Sequence, residues 1–554
     1  MYIYTGIHTC ILISNLYLSD HPLVNMPRKP ERGILGYKKD PKNQILFSFN
    51  VRTGDEWPSD DSDDSDYVPD DGLYCVSDGQ AMKHSVNAET KKKQLLIKNR
   101  KRKKNGSTAT KYNETSASKK SKCTSQTESI VAEQHDNVPP LPPEIWLKIF
   151  GFVVDRIGAL PFLCRAAKVC HMWHELSCHH SLWQKVDLSY GWIKARDQTL
   201  LWLCNNRLSQ CRSINLTSWK NVTSSAIKQL AEKCPLLESV NLSYCKKLSS
   251  EAVTMLVDSC PHLAEIDVSF TSPDAVSPMC LGHLIGTMNS RLRLLNIAGN
   301  HFKAFGTLVT YLMTSCSNLE HLDISNANFS SDFVSLNIEK FQIGCKKLKV
   351  IRFANSKFRA TIQRQQMEPH GFSDLEQLSL AVSTTTTTGS NVGLGIDDNF
   401  ISRLLLTSTQ LRLLDLRGCG NVTCEGLLHL PITNLQQLYI SQSPIAKSNC
   451  YSDFEPMIQK WRHSLIELDL SWNSYPAEIL HAALKALAIG CIKSPLESIN
   501  LAGTSVKMKS VKYILQNCPS LNSINLTSCR GLPRGIKRDF SGKQFLQLQR
   551  DHKT

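Results

Sequence analysis

The 554-residue sequence has no apolar stretch long enough to cross a bilayer. Its most apolar N-terminal run, residues 11–18, is interrupted by Ser14 and Asn15 and lacks the basic flank and the small-residue cleavage site of a secretory signal. We therefore expect neither a membrane protein nor a secreted one. Met26, which is followed by PRKPERG, is an alternative start, and residues 1–25 would then be dispensable.

Sequence signatures of enzymes are missing as well. There is no glycine-rich phosphate loop, no Gly-x-Ser-x-Gly elbow and no His-Glu-x-x-His motif. Cys170, His174 and Cys178 are spaced four apart, beside His179 and His180, and these are residue types that bind zinc. However, no Cys-x-x-Cys pair accompanies them, and Cys170 falls on an apolar stripe. We therefore predict no catalytic residue, no metal site and no cofactor.

Acidic residues are in the minority, since 49 Asp and Glu stand against 64 Lys and Arg and leave a net charge of +15. This balance predicts a basic surface and suggests a nuclear location or contact with a polyanion. The apolar fraction of 41% is enough for a sizeable core, and the length predicts more than one domain. The 20 cysteines of this long chain are interpreted as reduced, buried small hydrophobes of the cytosol or nucleus.

The N-terminal 138 residues show no sustained apolar periodicity and are predicted to be a disordered arm. Residues 60–71 (DDSDDSDYVPDD) form an acidic run that should be solvated and extended. Residues 91–104 (KKKQLLIKNRKRKK) resemble a nuclear localisation signal, although a basic tail could also contact nucleic acid through phosphate. The residues assigned to this signal are Lys91, Lys92, Lys93, Arg100, Lys101, Arg102, Lys103 and Lys104. The expected localisation is nucleus and cytoplasm.

Residues 141–188 predict three short helices. Pro142 and Pro143 suit the first turn of a helix, where no backbone N–H is needed. Two apolar stripes follow at helical spacing, and the second runs from Leu163 through Cys170 to Trp173. About fifty residues make a small core, so we expect this unit to bury one of its faces against a partner.

After these helices an apolar frame recurs, in which residues i, i+3 and i+5 are apolar. Its middle residues are Val186, Ile214, Val240, Ile266, Leu295, Leu322, Ile351, Leu378, Leu414, Leu438, Leu468, Ile499 and Ile524. Repeats of roughly 24–36 residues with this frame predict a leucine-rich-repeat solenoid. Each frame would form a short strand and the stretch after it a helix, and neighbouring repeats would bury one another's apolar sides. Buried Asn or Cys residues are expected after several strands and buried Cys residues at several repeat ends.

The inner face of such a solenoid is the expected site of substrate binding. Large aromatic residues follow several strands, namely Tyr190, Trp219, Tyr244, Phe270 and Trp472. Exposed aromatic residues dominate the energetics of many interfaces, whereas the alternative is that these residues pack between adjacent repeats. Residues 381–400, rich in Thr and Gly, predict a loop that is either a tolerated insertion or a flap that touches substrate.

The segments LPPEIWLKIFGFV, LCRAAKVCHMWHEL and SLW, in this order, resemble the F-box, and SVNLSYCKKLSSEAVTMLVDSCP resembles the cysteine-containing leucine-rich repeats of F-box proteins. The resemblance implies binding to a Skp-type adaptor and, through it, to a cullin and a RING protein. The residues that fall at adaptor-contacting positions of the family are Leu141, Pro142, Ile145, Ile149, Phe150, Leu163, Cys170 and Trp173. The alternative is that they form only the core of a small helical domain.

The sequence thus predicts an α/β fold: a horseshoe-shaped leucine-rich-repeat solenoid with parallel strands on its concave face, preceded by a three-helix F-box and a disordered arm. The predicted divisions are 1–138, 139–188 (F-box), 189–535 (repeats) and 536–554 (C-terminal tail). The predicted function is substrate recognition for an SCF-type ubiquitin ligase, without catalysis by this chain and without a membrane. A non-degradative nuclear scaffold is the alternative, with nucleic acid as a weaker partner than protein.

Overall fold

The computed structural model describes residues 141–302, 305–329, 334–356, 358–361, 370–382, 396–443, 451–488, 494–533 and 538–553. The acidic run, the basic cluster at 91–104 and residues 383–395 of the expected loop lie outside the described residues. Within the part of the chain that is described, the helices are all too short or too polar to span a bilayer.

One large sheet, parallel except for its last strand, organises the described chain. The strands are β1 (Lys185–Asp187), β2 (Ser213–Asn215), β3 (Ser239–Asn241), β4 (Glu265–Asp267), β5 (Leu294–Asn296), β6 (His301–Phe302), β7 (His321–Asp323), β8 (Asn328–Phe329), β9 (Val334–Asn337), β10 (Val350–Arg352), β11 (Phe358–Thr361), β12 (Gln377–Ser379), β13 (Leu413–Asp415), β14 (Gln437–Tyr439), β15 (Glu467–Asp469), β16 (Ser498–Asn500), β17 (Ser523–Asn525) and β18 (Asp539–Ser541). The main sheet has 14 strands in the order β1-β2-β3-β4-β5-β7-β10-β12-β13-β14-β15-β16-β17-β18. The pairs β6–β8 and β9–β11 form two small separate parallel sheets, which the sequence pattern did not predict.

The predicted frames account for the strands of the main sheet. The middle residue of each frame lies at the centre of its strand, faces the core and aligns with the middle residue of the next frame, as Val240 does with Ile266. The flanking strand residues are mostly half-buried and face away from the core, because side chains alternate along a strand. A leucine-rich-repeat solenoid is therefore confirmed as the fold.

Three helices precede the first strand, and the others cover the other side of most repeats. They are α1 (Pro143–Ile157), α2 (Phe162–Ala166), α3 (His171–Ser177), α4 (Asp197–Asn206), α5 (Ser224–Lys233), α6 (Ser250–Ser259), α7 (Pro278–Met288), α8 (Phe305–Ser315), α9 (Ile338–Gly344), α10 (Asp398–Leu404), α11 (Cys424–Leu428), α12 (Phe454–Trp461), α13 (Ala477–Ala486), α14 (Met508–Asn517) and α15 (Gly542–Lys553). The helices of successive repeats pack side by side and bury apolar residues at helical spacing, such as Ala226, Ile227 and Leu230 in α5.

Polar side chains and cysteines mark the ends of these helices. Thr423 accepts a hydrogen bond from the Gly426 N–H at the start of α11, which satisfies a backbone donor that the helix itself leaves unpaired. At the other end, Cys234 and Cys260 are the residues that follow α5 and α6, and both are fully buried. The predicted buried cysteines at repeat ends are therefore confirmed here, where a small apolar side chain fits between the helix end and the next strand.

The turns after several strands contain the predicted buried Asn or Cys. The Asn300 amide donates to the carbonyls of Val268 and Ile297 at 2.9 and 3.2 Å, and so links two repeats. The Cys245 thiol lies 3.4 Å from the Leu216 carbonyl in the equivalent position of another repeat. The residue just before this position has a positive φ angle in most repeats, and it is often not glycine.

The C-terminal segment differs from its predicted role as a tail. Strand β18 pairs antiparallel with β17, and α15 packs against α14. Phe545 of α15 is completely buried. The last repeat would otherwise expose its sheet edge and its apolar side, so residues 539–553 close this end of the solenoid.

Candidate protein-binding surfaces

The helical unit at residues 141–183 has an aromatic core of its own. On α1, Trp146 and Phe150 lie one turn apart, and the Trp173 ring packs on both, at centroid distances of 4.9 and 5.0 Å. Phe162 meets Phe150 edge-to-face at 5.2 Å. These contacts hold α1, α2 and α3 together, since aromatic pairs at such distances add to the stabilisation from buried area.

A different stripe of α1 remains in solvent. Ile145 is 40% exposed and Phe152 is 70% exposed, and both lie on the side of the helix turned away from Trp146 and Phe150. Ile157 at the end of α1 and Val169 between α2 and α3 are also exposed, at 59% and 61%. Ile145 and Phe152 form an apolar surface, which we call the outer face of α1, of the kind that marks a binding site.

The predicted adaptor-contacting residues divide between the surface and the core. Pro142, Ile145 and Cys170 are exposed, whereas Leu141, Ile149 and Trp173 are half-buried. Phe150 and Leu163 are each only 1% exposed, so for these two residues the structure favours the core alternative. Phe152, Ile157 and Val169 were not among the predicted site residues, although the seven-residue spacing of Ile145 and Phe152 already indicated a shared helical face.

The expected second stripe does not form one helix. The stripe is divided between α2, which ends at Ala166, and α3, which begins at His171, and the N-cap residue Cys170 between them has an extended backbone. Cys178 follows α3, and its thiol lies 3.9 Å from Nε2 of His174. Among the described residues, no group of three or more His, Cys, Asp or Glu side chains is arranged to hold a metal ion.

The helical unit joins the solenoid without an intervening linker. Trp183 is 4% exposed, and its indole N–H donates to the Ser177 carbonyl at the end of α3 over 2.9 Å. The same residue opens the first repeat frame, two residues before β1. Three residues before Trp183, His180 contacts the first repeat as well, since its Nδ1 lies 3.2 Å from the Arg207 carbonyl after α4. The two parts of the chain therefore share a core and side-chain contacts at this junction.

The exposed face of the main sheet carries a ladder of Asx side chains. In most strands the last residue is Asp or Asn, and its side chain accepts a hydrogen bond from the N–H two residues later, as Asn241 does from Ser243 at 2.9 Å. The ladder residues are Asp187, Asn215, Asn241, Asp267, Asn296, Asp323, Asp415, Asp469, Asn500 and Asn525. They align in register, so one row of polar groups runs along the sheet.

Charge on this face is unevenly compensated. Burial raises the pKa of Asp267 above its usual range, and the nearby charge of Asp323 raises it further, although hydrogen bonds from Ser269 and Asn296 act in the opposite direction. In the C-terminal half, Arg417 makes two 2.8 Å hydrogen bonds to the buried carboxylate of Asp415. These bonds hold the pKa of Arg417 above its usual value, so it stays charged.

Next to that pair, the Arg417 guanidinium lies 5.4 Å from the centre of the Tyr439 ring. The Tyr439 hydroxyl donates to the Glu467 carboxylate. Burial and this carboxylate together raise the pKa of Tyr439, which keeps the hydroxyl protonated as a donor. Arg417, Tyr439 and Glu467 therefore form a fixed polar surface across three neighbouring strands.

The predicted substrate-contacting aromatics also divide into two groups. Tyr190, Tyr244 and Trp472 are 37%, 42% and 54% exposed, and Phe270 is half-buried and stacks on Tyr244 at 4.9 Å. The prediction for Trp219 is wrong, because this side chain is 2% exposed and its indole N–H donates to the Leu188 carbonyl of the preceding repeat. Trp219 therefore packs between repeats, as the alternative held.

Several known proteins are similar to this chain or to part of it. An F-box-like family model matches residues 139–189. The protein named F-box protein SKIP19, from Arabidopsis thaliana, is 25% identical over 277 residues, covering 44% of this chain and 86% of the relative. The chain is also similar to a crystal structure described as the Rad7 and Elc1 complex in yeast, with 14% identity, a TM-score of 0.39 and coverage of 71% of this chain and 90% of that one. The leucine-rich-repeat protein LIC12759 of Leptospira interrogans has 14% identity, a TM-score of 0.33 and coverage of 69% and 90%.

Proposed function

We propose that this chain, in which an F-box-like segment precedes a leucine-rich-repeat solenoid, is an F-box protein that serves as a substrate-recognition subunit of an SCF-type ubiquitin ligase. In this proposal the F-box binds a Skp-type adaptor, the adaptor connects it to a cullin and a RING protein, and the solenoid holds a target protein for ubiquitination and degradation. The F-box-like match at residues 139–189 supports the first step.

The observation that carries the proposal is the outer face of α1. Ile145 and Phe152 remain exposed although Trp146 and Phe150, on the same helix, already complete the core of the unit. Exposed apolar side chains on a rigid helix lose little conformational entropy on binding, and an interface over them gains the free energy of burying their surface. A helix face of this kind is suited to an apolar groove on an adaptor.

We infer that this chain contributes proximity and not bond chemistry. Burial raises the pKa of the Cys211, Cys345 and Cys419 thiols to about 12, so these groups are poor nucleophiles at neutral pH. Holding a target lysine close to a charged ubiquitin carrier would by itself raise the rate of transfer, because it raises the effective concentration of the two reactants.

The proposal is tested by changing the outer face of α1. In the variant Ile145→Glu with Phe152→Glu, we expect retention of a Skp-type adaptor in co-purification to fall by at least about 100-fold, because two interface anchors are replaced by charges. The stability of the free chain should change by less than about 1 kcal/mol, since both side chains are already in solvent. Adaptor retention is measured by affinity capture and stability by thermal unfolding.

Lys220→Glu serves as the matched control, because it adds negative charge at an exposed solenoid residue far along the chain from α1. This variant should retain the adaptor like the unaltered chain. Failure of the unaltered chain to bind a Skp-type adaptor would overturn the proposal, and so would binding by the doubly charged variant.

For the N-terminal arm, we propose import into the nucleus through the basic cluster at residues 91–104, in addition to a cytoplasmic pool. The density of Lys and Arg in this segment supports the proposal.

A further inference from the structure

Trp472 is held rigidly in an unusual backbone position. It lies three residues after β15 with a φ of +59°, a conformation that costs a non-glycine residue about 1 kcal/mol. Its ring packs over Gly503 of the next repeat, where a Cβ atom would come within 2.5 Å of the ring. The side chain is nevertheless 54% exposed, and its indole N–H has no partner among the described residues. A large aromatic side chain is therefore fixed in place and open to solvent.

Asp469, the last residue of β15, has a carboxylate that can accept a further hydrogen bond. Asp469 accepts the Ser471 N–H at 2.9 Å, as the ladder requires, and this is the hydrogen bond its carboxylate makes within the described chain. Asn500 and Asn525 make the equivalent bond in the next two strands with a neutral side chain. The ladder therefore does not need a negative charge at this position, and one carboxylate oxygen is left without a donor.

Neighbouring cationic groups neutralise little of the negative charge of Asp469. Arg417 is engaged by Asp415 in a two-bond ion pair, so these two charges largely cancel, and Asp469 contributes less than Asp415 to the raised pKa of Arg417. Glu467, in the same strand as Asp469, is bound by the neutral Tyr439 hydroxyl, which leaves its charge in place. Asp469 is aligned with Tyr439 on one side and with Asn500 on the other, so neither adjacent ladder residue is cationic.

We propose that the surface formed by Tyr439, Glu467, Asp469 and Trp472 docks a Lys- or Arg-rich segment of the target protein. Two carboxylates supply acceptors for an ammonium or guanidinium group, and the Trp472 ring supplies a flat apolar face for the aliphatic stem of that side chain or for its cation. Charge complementarity selects this occupant, because a net negative surface would repel an acidic peptide or a nucleic acid. The inference rests on the proposed function, since it assigns the chemistry of the substrate.

Binding is measured by fluorescence anisotropy of labelled 12-residue peptides with the full chain. The probes are a peptide in which Lys alternates with Ser and two counterparts in which Gln or Glu replaces Lys. We expect the Lys peptide to bind at least about tenfold more tightly than the other two, and its affinity to fall as salt is raised, because the charges are partly exposed to solvent.

Variants locate the binding to the proposed surface. Asp469→Asn with Glu467→Gln should weaken the Lys peptide about tenfold while keeping the hydrogen bonds to Ser471 and Tyr439, and Trp472→Ala should weaken it about fivefold. Asn500→Asp adds a carboxylate next to Asp469 and should tighten binding about threefold. The matched control is Glu251→Gln with Asp258→Asn, which removes the same charge from the helix layer and should leave the affinity unchanged. The acidic run at residues 60–71 is present in every variant and adds a constant background.

Equal binding of the three peptides, or unchanged binding in the variant of Asp469 and Glu467, would overturn this inference. The peptide measurement needs neither the adaptor nor the outer face of α1. A chain that binds the Lys peptide but not an adaptor would therefore contradict the proposed function alone, whereas the reverse result would contradict only the assignment of a basic substrate segment.

Discussion

At the scale of single residues, one backbone position determines much of what the solenoid presents to solvent. The residue that precedes the buried residue of the turn has a positive φ angle in most repeats, and it is glycine in some, Ser, Asn or Gln in others, and aromatic at Tyr244, Phe270 and Trp472. Glycine adopts this conformation without strain. Where a bulky side chain takes it, as at Tyr244 and Trp472, the strain is compensated by packing, and the ring stands at the edge of the sheet.

The contact between Trp472 and Gly503 leads to a prediction. Gly503→Ala should destabilise the chain by about 2 kcal/mol, because it combines backbone strain with a clash against the indole ring. The displaced ring should also change the Trp472 fluorescence. Gly191→Ala is the control, since Gly191 has the same φ of +72° but no atom within 4 Å of the place where a Cβ would lie. It should cost about 1 kcal/mol and leave Trp472 unaffected, and equal effects of both changes would contradict the packing role.

The cysteines allow a second prediction at this scale. Burial raises the pKa of Cys211 to about 12, so at pH 8 very little of this thiol is present as the reactive thiolate. Cys170 is exposed on the helical unit. We expect iodoacetamide to modify Cys170 first and Cys211 only on unfolding, with the rate for any thiol rising as pH approaches its pKa. Peptide mass spectrometry reads the sites, and adaptor binding should protect Cys170. Rapid labelling of Cys211 in the folded chain would be the contrary result.

At the scale of elements, the strands were easier to predict than the helices. The frame of three apolar residues predicts every strand of the main sheet except β18. A three-residue strand in a stack of repeats is defined only by the apolar side chains that face the core. The helix interrupted at Cys170 was not predicted, since apolar spacing continues through it. The sequence also did not show which side of α1 lies in the core and which side faces solvent. Both sides carry apolar residues, and only the position of α3 decides which of them is covered.

The aromatic residues that follow the strands show the same limit of prediction from the apolar pattern. Trp219 and Trp472 occur in similar positions after their strands, yet Trp219 is buried and Trp472 is exposed. They differ by one position in the turn: Trp472 takes the positive-φ position and Trp219 follows it, after Ser218. The apolar frame does not distinguish these two positions without the register of the turn.

The closing segment at the C-terminus gives a prediction at this scale. Phe545→Ala should cost about 3 kcal/mol, because it removes a completely buried ring between α15 and the last repeat. Leu546→Ala, at the neighbouring residue that is 51% exposed, should change stability by less than about 0.5 kcal/mol. Hydrogen exchange should show faster opening of β17 and α14 in the Phe545 variant but not of β2 or β3, because each repeat contacts only its neighbours. Uniform loss of protection along the chain would contradict this view of the solenoid.

At the scale of the whole molecule, the described chain combines two kinds of surface. The outer face of α1 is apolar and compact, whereas the exposed face of the sheet is polar and extends over all repeats. An apolar surface suits a partner that is always the same, because the free energy of binding comes from the burial of apolar area. A row of polar groups suits selection among partners, because a charge left unpaired in the interface disfavours the wrong partner. The proposed function, with one fixed partner and one selected partner, calls for such a division of surfaces.

The Trp183 side chain is buried between the helical unit and the first repeat, and its indole N–H donates to the end of α3, so no flexible linker separates the two parts. Under the proposed function, the first repeats would therefore hold a bound target protein in a constant orientation relative to α1. Only those target lysines that lie within reach of the ubiquitin carrier in that orientation would then be modified. The choice of lysine would follow from geometry and not from the sequence around the lysine.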